Sequence, residues 1–205
     1  MQDGHARSQK IITALERQAA HEATPDEALL ARIARRDAAA MRTLFARHHL
    51  GVYRFILRIV GNAAVAEDLT SDVFLAVWRQ AERFEGRSTV STWLLAIARY
   101  KAITAARRRE TETLDGPALA IEDPSDGPEL AIRKKDRSAI LRTCLAQLSP
   151  KHREIVDLVY YHEKSIREVA EVIGVPENTV KTRMYYARQK LSELLEAAGL
   201  DRVSP

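Results

Sequence analysis

Apolar residues recur every three to four positions through most of the chain, and this spacing predicts α-helices rather than strands. The N-terminal half contains four such segments: one that begins at Thr24, one that ends at Gly61, one over 63–84, and one that begins near Ser91. In the first, Thr24 is predicted as the N-cap of a capping box, with Pro25 as the first helical residue. The four segments together predict one helical domain over residues 24–109.

A second helical domain is predicted over residues 133–196, again from apolar stripes at helical spacing. Ser165 and Glu168 have the spacing of a capping box, and Gly174-Val175-Pro176 interrupts the helix that they begin. A longer basic helix follows, with its own apolar stripe from Val180 to Leu191. A short capped helix, a glycine turn and a longer basic helix are typical of a helix-turn-helix.

The second helix of this motif turns a polar face away from its apolar stripe. Asparagine pairs bidentately with adenine, lysine and arginine reach guanine or phosphate, and threonine or tyrosine contacts either. The residues predicted to face the major groove are Asn178, Lys181, Thr182, Tyr185 and Arg188. The alternative, a helix that carries charges only for solubility, leaves the agreement of cap, turn and both stripes unexplained.

The segments between and outside the two domains have no helical periodicity. Residues 110–132 contain three prolines, two glycines and seven carboxylates, with no lysine or arginine. They predict a flexible acidic linker with an end-to-end span of roughly 25 Å, which would not fix the relative orientation of the domains. Residues 1–23 predict a mobile extension, and residues 197–205 a short tail.

Composition narrows the class of protein. Of the 205 residues, 46% are hydrophobic and 29% are charged, as in soluble globular proteins. No apolar run approaches the ~18 residues of a transmembrane helix, and the N-terminus lacks the pattern of a signal peptide. The single cysteine, Cys144, excludes an intrachain disulfide and a zinc cluster, and its place in an apolar stripe predicts burial. We therefore expect a reduced, cytoplasmic protein.

The net charge of +4 is small, but the charges are unevenly distributed. Between Ser88 and Arg109 there are five basic residues and no acid: Arg99, Lys101, Arg107, Arg108 and Arg109. A basic block of this kind is typical of a surface that contacts nucleic-acid phosphates, although solvated helix faces also carry such runs.

With these motifs in place, the chain resembles a sigma factor of bacterial RNA polymerase, of the small extracytoplasmic-function (ECF) group. Residues 66–78 (AEDLTSDVFLAVW) resemble the core-polymerase-binding helix of the family's region 2, and residues 91–99 (STWLLAIAR) the helix that reads and opens the promoter. Residues 148–183 resemble region 4. Tyr100, Thr104 and Tyr186 depart from the residues that are common in the family, which leaves the promoter sequence open.

The resemblance implies which residues contact polymerase and which contact each promoter element. Core polymerase would bind, through the clamp of its largest subunit, to Asp68, Ser71, Asp72 and Leu75. The −10 element would contact Arg87, Ser88, Thr89, Trp93, Arg99, Lys101, Arg107 and Arg108. Thr179 and Arg183 join the helix-turn-helix residues as contacts of the −35 element. The linker would occupy the RNA exit path, and an anti-sigma factor would regulate the protein. No cofactor, metal, small-molecule substrate or membrane insertion is implied.

The sequence disfavours three other functions. An enzyme is disfavoured because Glu67 and Asp68, like His48 and His49, diverge on a helix, and no phosphate loop or nucleophile elbow is present. A one-component regulator would bind palindromic DNA without polymerase, and its sensor domain would have no need of the basic block. A pure adaptor or anti-factor is disfavoured by the helix-turn-helix.

Overall fold

In the computed structural model, which describes residues 24–112 and 131–199 with side chains within 24–109 and 139–199, all regular structure is helical. The N-terminal domain consists of α1 (Asp26–Ala34), α2 (Ala38–Val60), α3 (Ala63–Gln80), a 3-10 turn (Ala81–Arg83) and α4 (Val90–Glu112). The C-terminal domain consists of α5 (Ala131–Gln147), α6 (Pro150–Tyr160), α7 (Ile166–Ile173) and α8 (Glu177–Ala197). The all-α prediction is confirmed. The predicted extension over 1–23 and residues 113–130 of the predicted linker lie outside the described residues, whereas the two ends of that linker, 110–112 and 131–132, are helical.

The N-terminal domain is organised around α2, which packs against α1, α3 and α4. Its core contains fully buried Leu29, Leu44, Phe55, Val73 and Leu94. The start and end of α2 have local causes. The Asp37 carboxylate accepts hydrogen bonds from the Ala39 and Ala40 N–H groups at 2.8 and 3.1 Å, and Gly61 ends the helix with φ 67°.

The predicted start of the first helix is off by one residue. Pro25 rather than Thr24 is the N-cap of α1, and Asp26 is the first helical residue. The Asp26 carboxylate binds Arg47 at 2.6 Å and His48 at 2.5 Å, and Arg47 also donates to the Thr24 carbonyl at 2.7 Å. The start of α1 is therefore held by side chains of α2. This tertiary contact cannot be predicted from the capping pattern.

The C-terminal domain follows the predicted signals closely. The Ser149 side chain caps α6, and Ser165 and Glu168 form a complete capping box at the start of α7. Gly174 ends α7 in the left-handed region with φ 68°, where a β-carbon would introduce strain. Ile155, Leu158, Val169 and Val180 fill the core, and Cys144 is buried as predicted.

The two domains pack against each other, which the linker composition did not predict. Helix α4 packs on α7, and α2 contacts α6. These contacts involve polar and charged side chains whose spacing in the sequence has no periodicity. They place the surface expected to read one DNA element directly against the helix-turn-helix domain.

Candidate functional site

The face of α3 that was expected to bind a partner is exposed. Val73 and Val77 are fully buried on the opposite side of the helix, whereas Asp68, Ser71 and Asp72 are exposed and Leu75 is 44% exposed. The Lys101 Nζ atom of α4 lies 3.9 Å from an Asp72 carboxylate oxygen. The exposure of this acidic face agrees with the spacing of the apolar stripe, and Lys101 of α4 lies beside it.

The loop that leads into α4 carries the residues expected to hold unpaired bases. Arg87 and Thr89 are exposed, Ser88 is half-buried, and Arg87 pairs with Glu85 at 2.5 Å. The Trp93 ring packs 5.4 Å from the Phe84 ring and is half-buried against the core. Trp93 thus contributes to packing and still presents part of its surface.

The basic residues of α4 fall into two groups. Arg107, Arg108 and Arg109 are exposed near the end of the helix. Arg99, by contrast, is paired with Glu154 of α6: its Nε donates to one carboxylate oxygen at 2.7 Å and its Nη2 to the other at 3.3 Å. In the sequence Arg99 belongs to a basic block, and nothing there indicates that the other domain supplies its acidic partner.

The first turn of α4 is also held by the C-terminal domain. The Thr92 and Thr89 hydroxyls donate to a Glu168 carboxylate oxygen at 2.8 and 3.1 Å, and the Lys164 ammonium donates to the Ser91 hydroxyl at 2.5 Å. Sequence reasoning missed Thr92, Glu154 and Glu168 as contact residues. The hydroxyls of Thr89 and Thr92, three residues apart at the start of α4, were a signal for a polar contact such as that with Glu168. They gave no indication of Glu154.

The exposed face of α8 presents most of the residues predicted to read the major groove. Asn178, Lys181, Thr182, Tyr185 and Arg188 are exposed, whereas Thr179 and Arg183 are half-buried at the edges of that face. The Thr182 hydroxyl donates to the Asn178 carbonyl at 2.9 Å, which fixes its orientation.

Aromatic residues border this face of α8. The Arg188 guanidinium lies 5.9 Å from the Tyr160 ring, and the exposed Tyr186 ring packs edge-on against Tyr185 at 5.5 Å. Sequence reasoning did not include Tyr160, because it belongs to α6 and only the fold brings it to Arg188.

A buried polar cluster joins the domains behind these surfaces. Asp157 of α6 is 5% exposed and forms an ion pair with Arg58 of α2, whose guanidinium lies 3.9 Å from the Tyr161 ring. His162 packs edge-on against Phe55, with ring centroids 5.4 Å apart. Burial, and after it the positive charges of Arg58 and Lys164, lower the pKa of His162 from 6.5 to about 4.

Metal sites and membrane-spanning helices were also sought among the described residues, and neither is found there. Among the described side chains, no group of three or more His, Cys, Asp or Glu residues is arranged to hold a metal ion. Within 24–112 and 131–199, no helix combines the length and hydropathy needed to cross a bilayer.

Two family models match the chain, one for each domain. The model described as Sigma-70 region 2 matches residues 44–112, and that described as Sigma-70, region 4 matches residues 138–191. The first match covers α3 and α4, which carry the exposed acidic face and the basic block. The second covers the helix-turn-helix.

Curated relatives and solved structures agree with these matches. The ECF RNA polymerase sigma factor SigL of Mycobacterium tuberculosis is 32% identical over 171 residues, covering 81% of this chain and 94% of the relative. The RNA polymerase sigma factor CarQ of Myxococcus xanthus is 36% identical over 172 residues, covering 79% and 92%. The sigma factor RpoE of Bartonella quintana, solved in complex with the anti-sigma factor NepR, aligns with a TM-score of 0.61 at 26% identity, covering 78% and 98%.

Proposed function

Because the chain belongs to the ECF sigma factors of bacterial RNA polymerase, we propose that it binds core polymerase and directs initiation at promoters with particular −10 and −35 elements. Members of this family are transcription initiation factors rather than catalysts, and the polymerase performs the chemistry. The proposed function requires no cofactor, metal or small-molecule substrate of its own. It places the protein in the cytoplasm, where core polymerase and promoter DNA lie.

The exposed face of α3 is proposed to bind the clamp of the largest polymerase subunit. Asp68, Ser71 and Asp72 lie within the two helical turns that precede Leu75 on the same face, so that carboxylates border an exposed apolar side chain on one side. Interfaces that bind specifically combine an apolar core with a polar rim, and charge at the rim directs orientation and association rate. The exposure of all four side chains supports this assignment.

The loop before α4 and the helix itself are proposed to recognise the −10 element and to start promoter melting. Aromatic and small polar groups on a positive background hold unpaired bases, and Trp93, Thr89 and Arg87 provide these groups here. Exposed Arg107 and Arg108 extend the positive surface along α4. The free energy of binding extruded bases offsets unpairing, which costs a few kcal/mol per base, so ATP is not needed.

The helix-turn-helix of α7 and α8 is proposed to read the −35 element. Its polar face combines an amide, a hydroxyl and cations that match base edges and phosphates in the major groove. This exposed face, in a chain that belongs to the sigma family, is the single observation that carries the proposed promoter specificity.

Control by an anti-sigma factor is proposed from the solved relatives. The sigma factor of Bartonella quintana was solved with the anti-sigma factor NepR, and CnrH, which shares the fold at a TM-score of 0.62, with the cytosolic domain of CnrY. The exposed apolar residue at the centre of the α3 face, Leu75, is a place where such an inhibitor would compete with polymerase.

The test is transcription by purified core polymerase from a randomised-promoter library, with and without the protein. We expect the protein to select promoters with two conserved elements and the core alone to select none. Sequence-specific DNA binding by the protein without polymerase, at one palindromic site, would instead establish the one-component regulator. Failure of the protein to bind core polymerase would contradict the proposal.

A further inference from the structure

A cavity between α2 of the N-terminal domain and α5 and α6 of the C-terminal domain combines apolar walls with a surplus of positive charge. We propose that it binds a small amphipathic carboxylate, whose charged group pairs with Arg54 and whose apolar body lies between the domains. The proposal goes beyond the proposed function, because none of the residues assigned to polymerase or to promoter DNA lines this cavity.

The size and the walls of the cavity define the apolar part of the ligand. The volume is about 160 Å³, below the roughly 300–1,000 Å³ of pockets for drug-sized ligands, and therefore suits a short chain or a single ring. Of the lining residues, Leu57 and Val156 are buried, whereas Leu50 and Tyr161 are 47% and 50% exposed. An apolar ligand in contact with these side chains would remove part of their surface from water, which favours binding.

The charges that line the cavity define the polar part of the ligand. Guanidinium groups outnumber carboxylates: the lining residues include Arg54, Arg58, Arg142 and Arg153, with Asp157 as the one acid among them. Asp157 is already compensated by Arg58, and Arg153 donates to uncharged backbone carbonyls around the end of α5. The lining therefore carries a net positive charge, which favours an anionic ligand over a neutral or cationic one.

Arg54 provides a hydrogen-bond donor for the anion. Its Nε atom is buried and has no acceptor among the described residues. A buried donor without an acceptor is unfavourable, and a carboxylate can accept two parallel hydrogen bonds from one guanidinium group. A ligand carboxylate at Arg54 would thus satisfy this donor and reduce the surplus of positive charge in one contact.

Both domains contribute walls to the cavity. Leu50 and Arg54 lie on α2, whereas Leu145 lies on α5 and Val156 on α6. A ligand that contacts both sides stabilises the arrangement in which the two sides are close, and this coupling is reciprocal. The concentration of a small carboxylate would therefore act on a protein whose proposed function uses both domains.

The test measures the binding of octanoate to the free full-length protein by isothermal titration calorimetry. Octylammonium and 1-octanol carry the same chain with a positive and a neutral head group, and they are the ligand controls. Arg54→Gln removes the proposed anchor. The matched control is Arg79→Gln, which removes an exposed arginine of α3 that does not line this cavity. Leu50→Glu is a second variant, which places a carboxylate at the exposed apolar residue of the lining.

We expect octanoate to bind the wild type and Arg79→Gln equally, and to bind Arg54→Gln roughly tenfold or more weakly, because hydrogen bonds to a charged group are lost. Hexanoate should bind the wild type more weakly than octanoate, by roughly fourfold for each methylene that is no longer buried. Octylammonium should not displace octanoate. Leu50→Glu should also weaken octanoate binding, while its melting temperature stays near that of the wild type because residue 50 is outside the core.

Three results would overturn the proposal. They are the absence of octanoate binding to the wild type, equal affinity for octanoate and 1-octanol, and equal octanoate binding by Arg54→Gln and Arg79→Gln. The measurement contains neither polymerase nor DNA, so each of these results is distinguishable from a failure of the proposed function.

Discussion

At the scale of single residues, the buried polar groups were the hardest to predict. Asp157 lies between Val156 and Leu158 and is 5% exposed, although a carboxylate is ordinarily found at the surface. The structure explains it through Arg58, which comes from the other domain. An acid within an apolar run indicates a buried partner, but the sequence does not identify which arginine that is.

His162 predicts a pH dependence of stability. Its imidazole faces Phe55 and lies near Arg58, Lys164 and Asp157, with Nε2 3.6 Å from the Asp157 carboxylate, whose charge Arg58 already compensates. The folded-state pKa of about 4 lies below the ordinary 6.5, so between these values the unfolded chain binds more protons. Lowering the pH from 7 to 5 should therefore reduce the free energy of unfolding by about 2 kcal/mol.

Chemical denaturation at the two pH values measures this effect. His162→Gln should remove most of the pH-dependent loss, whatever its effect on stability at pH 7. His152→Gln, on the same helix–turn segment, should leave the loss in place. An identical pH dependence in wild type and His162→Gln would show that other groups are responsible.

Asp72 offers a residue-scale test of polymerase binding. Asp72→Arg should weaken association with core polymerase, because it reverses a charge on the exposed face of α3, and it should leave the melting temperature nearly unchanged. The control is Glu82→Arg, which reverses an exposed charge on the 3-10 turn. Affinity measured by competition for core polymerase decides the matter: equal binding by the two variants would remove Asp72 from the interface.

At the scale of elements, sequence reasoning succeeded where local chemistry fixes helix boundaries. The Ser165–Glu168 capping box, the left-handed Gly174 and the Gly61 stop are as predicted, because each depends on residues a few positions apart. The start of α1 was misplaced where a tertiary contact, Arg47 with Asp26, intervenes. Which face of a helix is exposed was predictable for α3 and α8 from the apolar stripe alone.

The end of α4 is an element whose charge has a measurable consequence. Replacing Arg107, Arg108 and Arg109 with glutamine should weaken promoter binding by the holoenzyme and reduce the log–log salt slope by roughly 0.9 for each duplex phosphate that is no longer neutralised. Arg35→Gln, an exposed cation at the end of α1, is the control and should leave the slope unchanged. A slope that stays the same in the triple variant would mean that this run does not contact the duplex.

At the scale of the whole molecule, the docking of the two domains was beyond the reach of the sequence. Arg99 and Glu154 each read as ordinary helix charges, and only the fold shows that they pair. Long-range pairs of this kind produce no periodic pattern in the sequence, whereas the apolar stripes of the helices within each domain do. The division into two helical units was therefore predictable, and their arrangement in the free protein was not.

The last prediction concerns how promoter preference is divided between the two domains. In the holoenzyme, α8 would read the −35 element and residues 84–109 the −10 element. Asn178→Ala and Lys181→Ala should each weaken −35 recognition, by about 1–3 kcal/mol where the side chain binds a base bidentately, and should change the preferred −35 sequence. Glu193→Ala, near the far end of α8, is the control and should alter neither element.

A randomised-promoter selection with core polymerase and each variant measures both preferences in one experiment. The −10 preference should be the same in all variants, because Asn178 and Lys181 are exposed on α8 and have no described contact with α4. Glu154 and Glu168, which do contact α4, lie on α6 and α7 and are unchanged in these variants. If variants in α8 altered the −10 preference as much as the −35 preference, the two domains would not read their elements independently.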